Sequence, residues 1–595
     1  MSNEQQLEID SPAPEQPTLV SRPYQVEAKD CIYKSLARFR SSLCVMPTGT
    51  GKTVVFSTVV ADGVRRGRRV LIIAHREELI QQGAQKIAAI AGCEVGIEMA
   101  AQRDGSRGNA PVLMASVQTL VHRLESFDPD FFHLIIIDEA HHATAPTYRK
   151  IVEHFSSAKL LGFTATPNRG DNVALRAVFE DVAYDLPILD AIEGGWLVPI
   201  EQEIIETSID LSEVRRSRGD FTKKDVERVM SSIDALDEIA VPTVERTGER
   251  QAIVFAVTVD HAHLLAEAIR KAIHARGGVP RVAVVTGTTP NDERRSIFDG
   301  FRQGPHVVQY LVNVEVATEG TDLPSASVIV MARPTLSRAL YTQMLGRGTR
   351  PLPGVVDSVD AASLVARIKA GEFNLDDQRV AAAVARESSA LKRGADSAAR
   401  RLSIALSAKP HMLLIDFAAN SGRHQLASAL DALEGDALDE GLSREVREIV
   451  RNGERDLIEA IRLARLRRAE KTRKLRARGG DPFALWGLPD PEPDRWGRPM
   501  TPGQADVIAR AGMPTTGLDM RQASALISAM TDRGRRRLAT YKQCRALHKY
   551  GCPLDLLEGM TLKRATELMD ILVQSHYRPR QYWWAAPPSG IKAGA

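Results

Sequence analysis

Residues 46–53 read Met-Pro-Thr-Gly-Thr-Gly-Lys-Thr and connect a short apolar run, Leu43–Met46, to an amphipathic segment. A glycine-rich loop that ends in Gly-Lys-Thr between a strand and a helix is typical of a phosphate-binding loop, here called the P-loop. Backbone N–H groups of such a loop surround a phosphate, and the dipole of the following helix favours its charge. The alternative, a glycine-rich turn before a surface lysine, is disfavoured by the strand–helix junction. The stretch therefore predicts an α/β domain with a phosphate site.

The individual P-loop residues have distinct expected roles. Lys52 is expected to reach the β- and γ-phosphates of a nucleotide, and Thr53 to hold Mg²⁺. The remaining candidates for nucleotide contact are Thr48, Gly49, Thr50 and Gly51. One departure from the usual pattern is Met46, which stands where a first glycine is expected.

Two carboxylates follow a second apolar run, Leu134–Ile137, as Asp138-Glu139-Ala140-His141. Asp138 at the tip of the predicted strand can bind the water shell of Mg²⁺, and Glu139 can polarise a water for in-line attack on phosphorus. Acids often follow buried strands simply because the chain enters solvent there. After a P-loop some 85 residues upstream, the catalytic interpretation is favoured.

Short β-branched runs alternate with amphipathic stretches in two series, which predicts two parallel sheets covered by helices. The predicted strands of the first series are Leu43–Met46, Val70–Ala74, Val112–Ala115, Leu134–Ile137 and Lys159–Phe163. Those of the second are Ala252–Ala256, Val282–Val285, Val307–Val312, Val328–Met331 and Met412–Asp416. We therefore expect one α/β domain over 18–195, a charged linker over 196–248, and a second α/β domain over 249–425 with a helical insertion near 355–408.

Composition and charge indicate an ordinary globular protein. The chain has 595 residues, 44% of them hydrophobic and 26% charged, with a net charge of +3. Its five cysteines form no C-x-x-C pair, so no zinc module is expected. The first 17 residues are acidic and proline-rich, which predicts a disordered tail and no signal peptide. No apolar run approaches the roughly 18 residues of a membrane span, so a cytoplasmic location with no membrane partner is expected.

Beyond residue 425 the pattern becomes helical. One long helix is predicted over 443–478, within a basic helical segment at 426–478; Arg462–Arg478 holds nine Lys or Arg against one acid. A linker is predicted over 479–500 and a tail over 576–595. Between them, Thr501-x-x-Gln504 and Thr540-x-x-Gln543 open a weak repeat that predicts two helical hairpins over 501–575. The hairpins could bind duplex nucleic acid or a partner protein, or simply pack on the rest of the chain as a small helical domain.

Taken in order, the motifs resemble those of superfamily 2 helicases and translocases of the D-E-A-H type, over roughly 18–425. Arg22-Pro-Tyr24-Gln25 is similar to the adenine-reading motif, and Gly162-Phe-Thr164-Ala165-Thr166-Pro167 to the motif that links hydrolysis to movement. Gln343-Met-Leu-Gly346-Arg347-Gly-Thr-Arg350 is similar to the last motif. Within the superfamily, the chain looks closest to RadD-like helicases, restriction-enzyme motor subunits and related phage proteins. The zinc-binding cysteines of RadD-like proteins and a nuclease constellation are both missing from the sequence.

The resemblance implies two tandem RecA-like domains, ATP and Mg²⁺ as ligands, and a nucleic-acid partner, most often DNA. It implies further roles for residues outside the P-loop: catalysis for His141, Gln343, Arg347 and Arg350; nucleotide contact for Tyr24, Gln25, Gly320 and Asp322; and strand contact for Arg76, Gln118, Thr286 and Thr318. Two arginines three apart on a helix also share one face, so they could act together as arginine fingers.

Three functions remain open at this point. The first is an ATP-dependent DNA helicase or translocase. The second is the same engine acting on RNA, because no feature of the sequence reports recognition of the 2′-OH. The third is a binding platform whose ATPase only switches affinity for a partner.

Overall fold

A computed structural model of the chain describes residues 21–74, 77–99, 110–165, 175, 177–217, 220–314, 322–357, 359–374, 377–420, 428–434, 440–478, 480–489, 499–516, 518–577 and 584. The predicted N-terminal tail, 1–17, lies outside the described residues, as does most of the predicted C-terminal tail. The chain divides into two compact units, residues 1–460 and 461–595. In the described part of the chain, no helix combines the length and apolar character that a membrane span requires.

The first domain of the 1–460 unit is built on a sheet that has seven strands in the described residues, all parallel, in the order β3-β4-β2-β5-β6-β1-β7. Its strands are β1 Ser41–Val45, β2 Val70–Ala74, β3 Val95–Glu98, β4 Val112–Ser116, β5 Leu134–Ile137, β6 Lys159–Thr164 and β7 Asp181–Asp185. Strands β1, β2, β4 and β5 are buried at every position, because an apolar core covers each face of the sheet. Continuous apolar runs of this kind are the expected pattern for parallel strands buried on both sides.

Helices connect these strands and cover the sheet. They are α1 Pro23–Leu36, α2 Lys52–Arg65, α3 Glu77–Ala91, α4 Val117–Leu120, α5 Pro146–His154 and α6 Ile188–Glu193, with a 3-10 turn at Ala140–Thr144.

The second domain has a parallel sheet with six strands in the described residues, in the order β12-β13-β11-β14-β15-β8. The strands are β8 Ile200–Asp210, β11 Gln251–Phe255, β12 Val282–Val285, β13 Tyr310–Asn313, β14 Ala326–Met331 and β15 Met412–Asn420, and a small hairpin pairs β9 Arg216–Ser217 with β10 Asp220–Phe221. The helices up to the last motif are α7 Lys223–Met230, α8 Ile233–Thr247, α9 Val259–His274, α10 Asn291–Gln303 and α11 Arg338–Gly346. The predicted fold class, two RecA-like parallel-sheet domains with a helical C-terminal region, is confirmed.

The segment expected to be a linker, 196–248, instead supplies β8, α7 and α8 to the second domain. Strand β8 pairs in parallel with β15 at the edge of the sheet, with Ile200 opposite Met412. Strand β8 lies at the edge of the sheet, so many of its side chains stay partly exposed and several are acidic. No continuous apolar run therefore marks β8 in the sequence. The open edge of β8 is partly covered by the loop before α17, where the Gln202 N–H donates to the Arg455 carbonyl at 3.0 Å.

The expected insertion is helical in its described residues and leaves the second domain between α11 and β15. Its helices are α12 Ala361–Lys369, α13 Gln378–Lys392 and α14 Asp396–Leu406, and they enclose a small apolar core of their own.

The long helix expected over 443–478 is interrupted. After α15 Ala429–Glu434, the chain forms α16 Glu440–Arg451 and α17 Leu457–Arg478 as separate helices. Gly453 adopts φ +110°, outside the helical region, and the Asp456 carboxylate then accepts from the N–H of Ile458 at 3.0 Å. An acceptor at this position begins a new helix, so the apolar periodicity continues across a real break.

The 461–595 unit contains the predicted hairpins. They comprise α19 Pro502–Arg510 with α20 Met520–Arg535, and α21 Tyr541–Lys549, α22 Leu554–Glu558 and α23 Leu562–Gln574. Thr501 and Thr540 both form capping boxes with the glutamine three residues later, which explains the repeat that the sequence displays. The expected linker 479–500 contains α18 Pro482–Trp486, whose side chains are buried in the core of this unit.

Candidate active site

The P-loop follows β1 and leads into α2, in the geometry expected of a phosphate site. The Met46 N–H donates to the Thr164 carbonyl at 2.9 Å, so the loop leaves the sheet beside β6. Gly49 and Gly51 have φ of +89° and +82°, which only glycine adopts at little cost. A Cβ on Gly51 would also lie 2.6 Å from Gln25 Nε2. The loop thus needs these glycines, and it exposes backbone N–H groups at the start of α2.

Lys52 and Glu139 face each other across this loop. Lys52 Nζ lies 3.4 Å from the Met46 carbonyl oxygen and 4.0 Å from Glu139 Oε1. Glu139 Oε2 lies 3.6 Å from His141 Nδ1 and has no hydrogen-bond partner among the described residues. Glu139 also adopts φ +51°, a left-handed conformation that is rare outside glycine and often marks functional sites.

The charge of Glu139 is stabilised by its surroundings. Burial alone would raise the pKa of its carboxyl, but the positive charges of Lys52, His141, Arg347 and His142 hold the pKa below its usual value. Glu139 is therefore ionised at neutral pH and can accept a proton.

Asp138 and Thr53, the residues expected to hold Mg²⁺, remain candidates for that role. Both are partly exposed, with Asp138 at the carboxyl end of β5 and Thr53 in the first turn of α2. Asp138 Oδ1 accepts from the Glu139 N–H at 3.0 Å, which orients the carboxylate. A hydroxyl and a carboxylate that leave room for water and phosphate oxygens are the ligands Mg²⁺ takes in nucleotide sites.

The last motif, 343–350, brings the second domain onto the P-loop. A Cβ added to Gly346 would lie 2.7 Å from Thr48 Cβ, and one on Gly49 would lie 3.6 Å from Arg350 Cβ. Arg347 caps the C-terminal end of α11, and its charge lowers the pKa of Glu139. Arg350 lies beyond the helix, so the expectation that the two arginines share one helix face is wrong. Arg350 forms an ion pair with Asp322. Two domains therefore line one site, with the arginines opposite the P-loop.

Comparison with known proteins agrees with this arrangement. Residues 18–169 match the family described as type III restriction enzyme, res subunit, and residues 231–351 match the helicase conserved C-terminal domain. The chain is 33% identical over 348 residues to the Saccharomyces cerevisiae protein named as ATP-dependent helicase IRC3, covering 56% of this chain and 49% of that protein. The chain carries a superfamily 2 helicase core.

Two further relatives match a similar length of this chain. The chain is 33% identical over 343 residues to the Schizosaccharomyces pombe protein named as mitochondrial ATP-dependent helicase irc3, covering 55% of this chain and 55% of that protein. It is 29% identical over 343 residues to DNA 3'-5' helicase XPB of Mycobacterium tuberculosis, covering 56% of this chain and 58% of that protein. The chain thus spans about half the length of the curated relatives it matches.

Tyr24 and Gln25 of the helicase core brace the P-loop. The Tyr24 hydroxyl donates to the Thr50 carbonyl at 2.7 Å, and Gln25 Nε2 donates to the same oxygen at 2.9 Å. Gln25 Oε1 accepts from the Arg22 N–H at 2.9 Å. Each polar atom of the Gln25 amide keeps one further bonding position, so its reading of adenine stays a prediction beside this bracing role.

The expected strand contacts are only partly described. Arg76, Thr318 and Gly320 lie outside the described residues, as do Thr166 and Pro167. Gln118 is exposed, and its Oε1 accepts from the Ser116 hydroxyl at 2.7 Å. Thr286 is only 2% exposed, and its hydroxyl lies 2.9 Å from that of Thr288. As placed, Thr286 shapes its turn, and its contact with a strand stays a prediction.

Several residues of the site carry no recognisable motif. Leu197 would lie 3.5 Å from a Cβ on Gly49, and the next N–H, of Val198, donates to the Thr349 carbonyl at 2.8 Å. Lys409 is 1% exposed, and its ammonium donates to the carbonyls of Arg350 at 2.7 Å and Pro324 at 2.8 Å. Burial lowers the pKa of Lys409 to about 7. These contacts join residues far apart in sequence, so no local pattern predicts them.

Gln343, expected to be catalytic, is 7% exposed and lies in the buried second half of α11.

Proposed function

We propose that the chain is an ATP-dependent helicase or translocase that acts on DNA, coupling ATP hydrolysis between its two RecA-like domains to movement along a strand. The observation that carries this proposal is the seating of Gly346 on Thr48, with Arg347 close enough to lower the pKa of Glu139. A nucleotide on the P-loop would lie between the two domains, so its hydrolysis would change how the domains meet.

The residues divide the work of hydrolysis among them. Glu139 Oε2, buried and without a hydrogen-bond partner among the described residues, would orient the attacking water and accept its proton. Lys52 would neutralise the β- and γ-phosphates. Thr53 and Asp138 would hold Mg²⁺, which would supply positive charge to offset that of the phosphates.

The two arginines have different surroundings and so different roles in this proposal. Arg350 is paired with Asp322, and its backbone carbonyl is held by Lys409. Arg347 lies near enough to Glu139 for its charge to help lower the pKa of that carboxyl, which supports Arg347 as the arginine that stabilises charge on the transferring phosphoryl group. Arg350, held in place just beyond the end of α11, is the second candidate for contact with the nucleotide.

DNA is favoured as the partner because the Mycobacterium tuberculosis relative is named as a DNA helicase, and the matching family is described as a restriction-enzyme subunit. Contacts in such motors go mainly to phosphates, so binding should be largely independent of sequence and sensitive to salt.

Steady-state ATP hydrolysis with single-stranded DNA, duplex DNA and RNA, each in excess, tests the proposal. Stimulation by DNA in the wild type, and its loss in Lys52→Ala, is the expected result. Stimulation by RNA alone would reassign the substrate, and no stimulation by any polymer would overturn the proposal. Strand displacement measured on the same preparations separates a helicase from a translocase. DNA-stimulated hydrolysis with neither strand displacement nor displacement of a protein block from duplex DNA would favour the binding platform.

A further inference from the structure

The helical insertion, residues 355–406, belongs to the second domain by sequence but contacts the first domain beside the nucleotide site. Arg400 Nε on α14 donates to the Gly194 carbonyl at 2.9 Å, and Arg401 donates to the Glu193 carbonyl. Arg401 is itself held by Glu387 of α13 at 2.6 Å. Helix α14 is therefore fixed within the insertion and docks on the turn that ends α6.

The docking is close enough to demand glycine in that turn. Gly195 has φ +72°, and a Cβ there would lie 2.7 Å from Arg400 Cβ and 2.9 Å from the Arg401 backbone nitrogen. Both the backbone conformation and the space exclude a larger side chain. The backbone of the turn therefore packs directly against the backbone of α14, with no room for a side chain between them.

A continuous series of contacts runs from this docking point to the P-loop. The Arg400 guanidinium lies 3.7 Å from the centroid of the Trp196 ring, and that ring meets Tyr24 edge-on with centroids 5.1 Å apart. The Tyr24 hydroxyl donates to the Thr50 carbonyl of the P-loop at 2.7 Å. Arg22, next to this stack, forms an ion pair at 3.0 Å with Asp357 at the start of the insertion. The insertion therefore reaches the same side of the site at two points.

We propose that the insertion supports the nucleotide site from beside the P-loop, with Arg400 acting through Trp196 as a positioning residue for Tyr24 and the Thr50 carbonyl. This inference rests on the proposed ATPase function and adds a specific determinant of nucleotide affinity. Because the support comes from the second domain, nucleotide affinity depends on the two domains being together. Arg400 touches no phosphate in this account, so its loss should weaken binding and leave the chemical step intact.

The test compares Arg400→Ala and Trp196→Ala with the conservative variants Arg400→Lys and Trp196→Phe. We would measure the Kd of a fluorescent ATP analogue, and the KM and kcat of ATP hydrolysis with saturating single-stranded DNA. Loss of a desolvated cation–aromatic stack should raise Kd and KM about tenfold in both alanine variants, with kcat within about twofold of wild type. The phenylalanine variant should recover most of the affinity, and the double alanine variant should be no weaker than either single variant, because both act through one stack.

Arg393→Ala is the matched control, because this exposed arginine lies just beyond α13 and its guanidinium donates to the Ser389 hydroxyl, within the insertion itself, at 2.8 Å. It should bind ATP as the wild type does. Wild-type Kd and KM in Arg400→Ala and Trp196→Ala, or a loss confined to kcat, would overturn the proposal. If an alanine variant does not fold, unchanged Kd and KM in both Arg400→Lys and Trp196→Phe with reduced kcat would overturn it equally. A wild type that binds the analogue but hydrolyses no ATP would refute the proposed function and leave the binding comparison valid.

Discussion

Adding one methyl group at Gly346 should displace the end of α11 from the P-loop. The new Cβ would lie 2.7 Å from Thr48 Cβ, whereas carbon atoms in contact prefer about 3.5–4.0 Å, so the end of α11 must move by roughly 1 Å. A displacement of about 1 Å at a catalytic site can cost on the order of 100-fold in rate. Alanine is also the better helix former by about 1 kcal/mol, so Gly346→Ala should not unfold the helix.

The assay is DNA-stimulated ATP hydrolysis, together with ATP affinity measured separately. We expect Gly346→Ala to lower kcat about 100-fold while ATP still binds, because a shift of roughly 1 Å confined to the end of α11 leaves Lys52, the rest of the P-loop and the contact between Arg400 and Trp196 in place. Gly63→Ala in α2 is the control, since a Cβ there meets only Val70 Cγ2 at an ordinary 3.4 Å. In a Thr48→Gly background, the Gly346 substitution should cost far less. Wild-type kcat in Gly346→Ala would refute the claim that α11 seats on the P-loop.

Two other predictions follow from the buried groups. Glu139→Gln should keep ATP affinity but lower hydrolysis by about 10²–10⁴-fold, because the amide preserves shape and leaves Asp138 intact but accepts no proton; loss of ATP binding in a binding assay would make Glu139 structural. His261 is fully buried, its Nδ1 accepts from the Val257 N–H at 3.1 Å, and burial lowers its pKa to about 4. Because the folded pKa lies below the unfolded value of about 6.5, the neutral ring's contribution to stability is present above pH 6.5 and falls as the pH drops towards 4. Between pH 6.5 and 5 the loss should be about 2 kcal/mol in chemical denaturation, and His261→Gln, which keeps an acceptor but does not titrate, should flatten that slope. An unchanged slope in the variant would contradict the assignment to His261.

The central strands and the phosphate loop could be predicted because their causes are local. Apolar β-branched runs such as Val70–Ala74 are buried only in a strand whose sheet is covered on both faces, and the observed β2 has the predicted bounds. All ten strands predicted from such runs overlap an observed strand. The P-loop glycines and the acids after β5 could be recognised from the local sequence motif alone.

What could not be predicted depends on partners distant in sequence. Strands β7 and β8 lie at sheet edges with partly exposed, acidic side chains, so no apolar run marks them. The break at Gly453 interrupts a periodic pattern that a single glycine does not always end. Trp196, Arg400 and Lys409 belong to no motif, and only the fold brings them to the nucleotide site.

The most direct test of a composite site is hydrolysis by Arg347→Ala, measured as single-turnover phosphate release with ATP and DNA in excess of their dissociation constants. The second domain contributes this arginine, and an arginine finger accounts for about 10³–10⁵ in rate. We expect a loss of at least about 1,000-fold, with ATP affinity within a few-fold of wild type. Hydrolysis at the wild-type rate would show that Arg347 contributes nothing to the chemical step and would contradict the composite site.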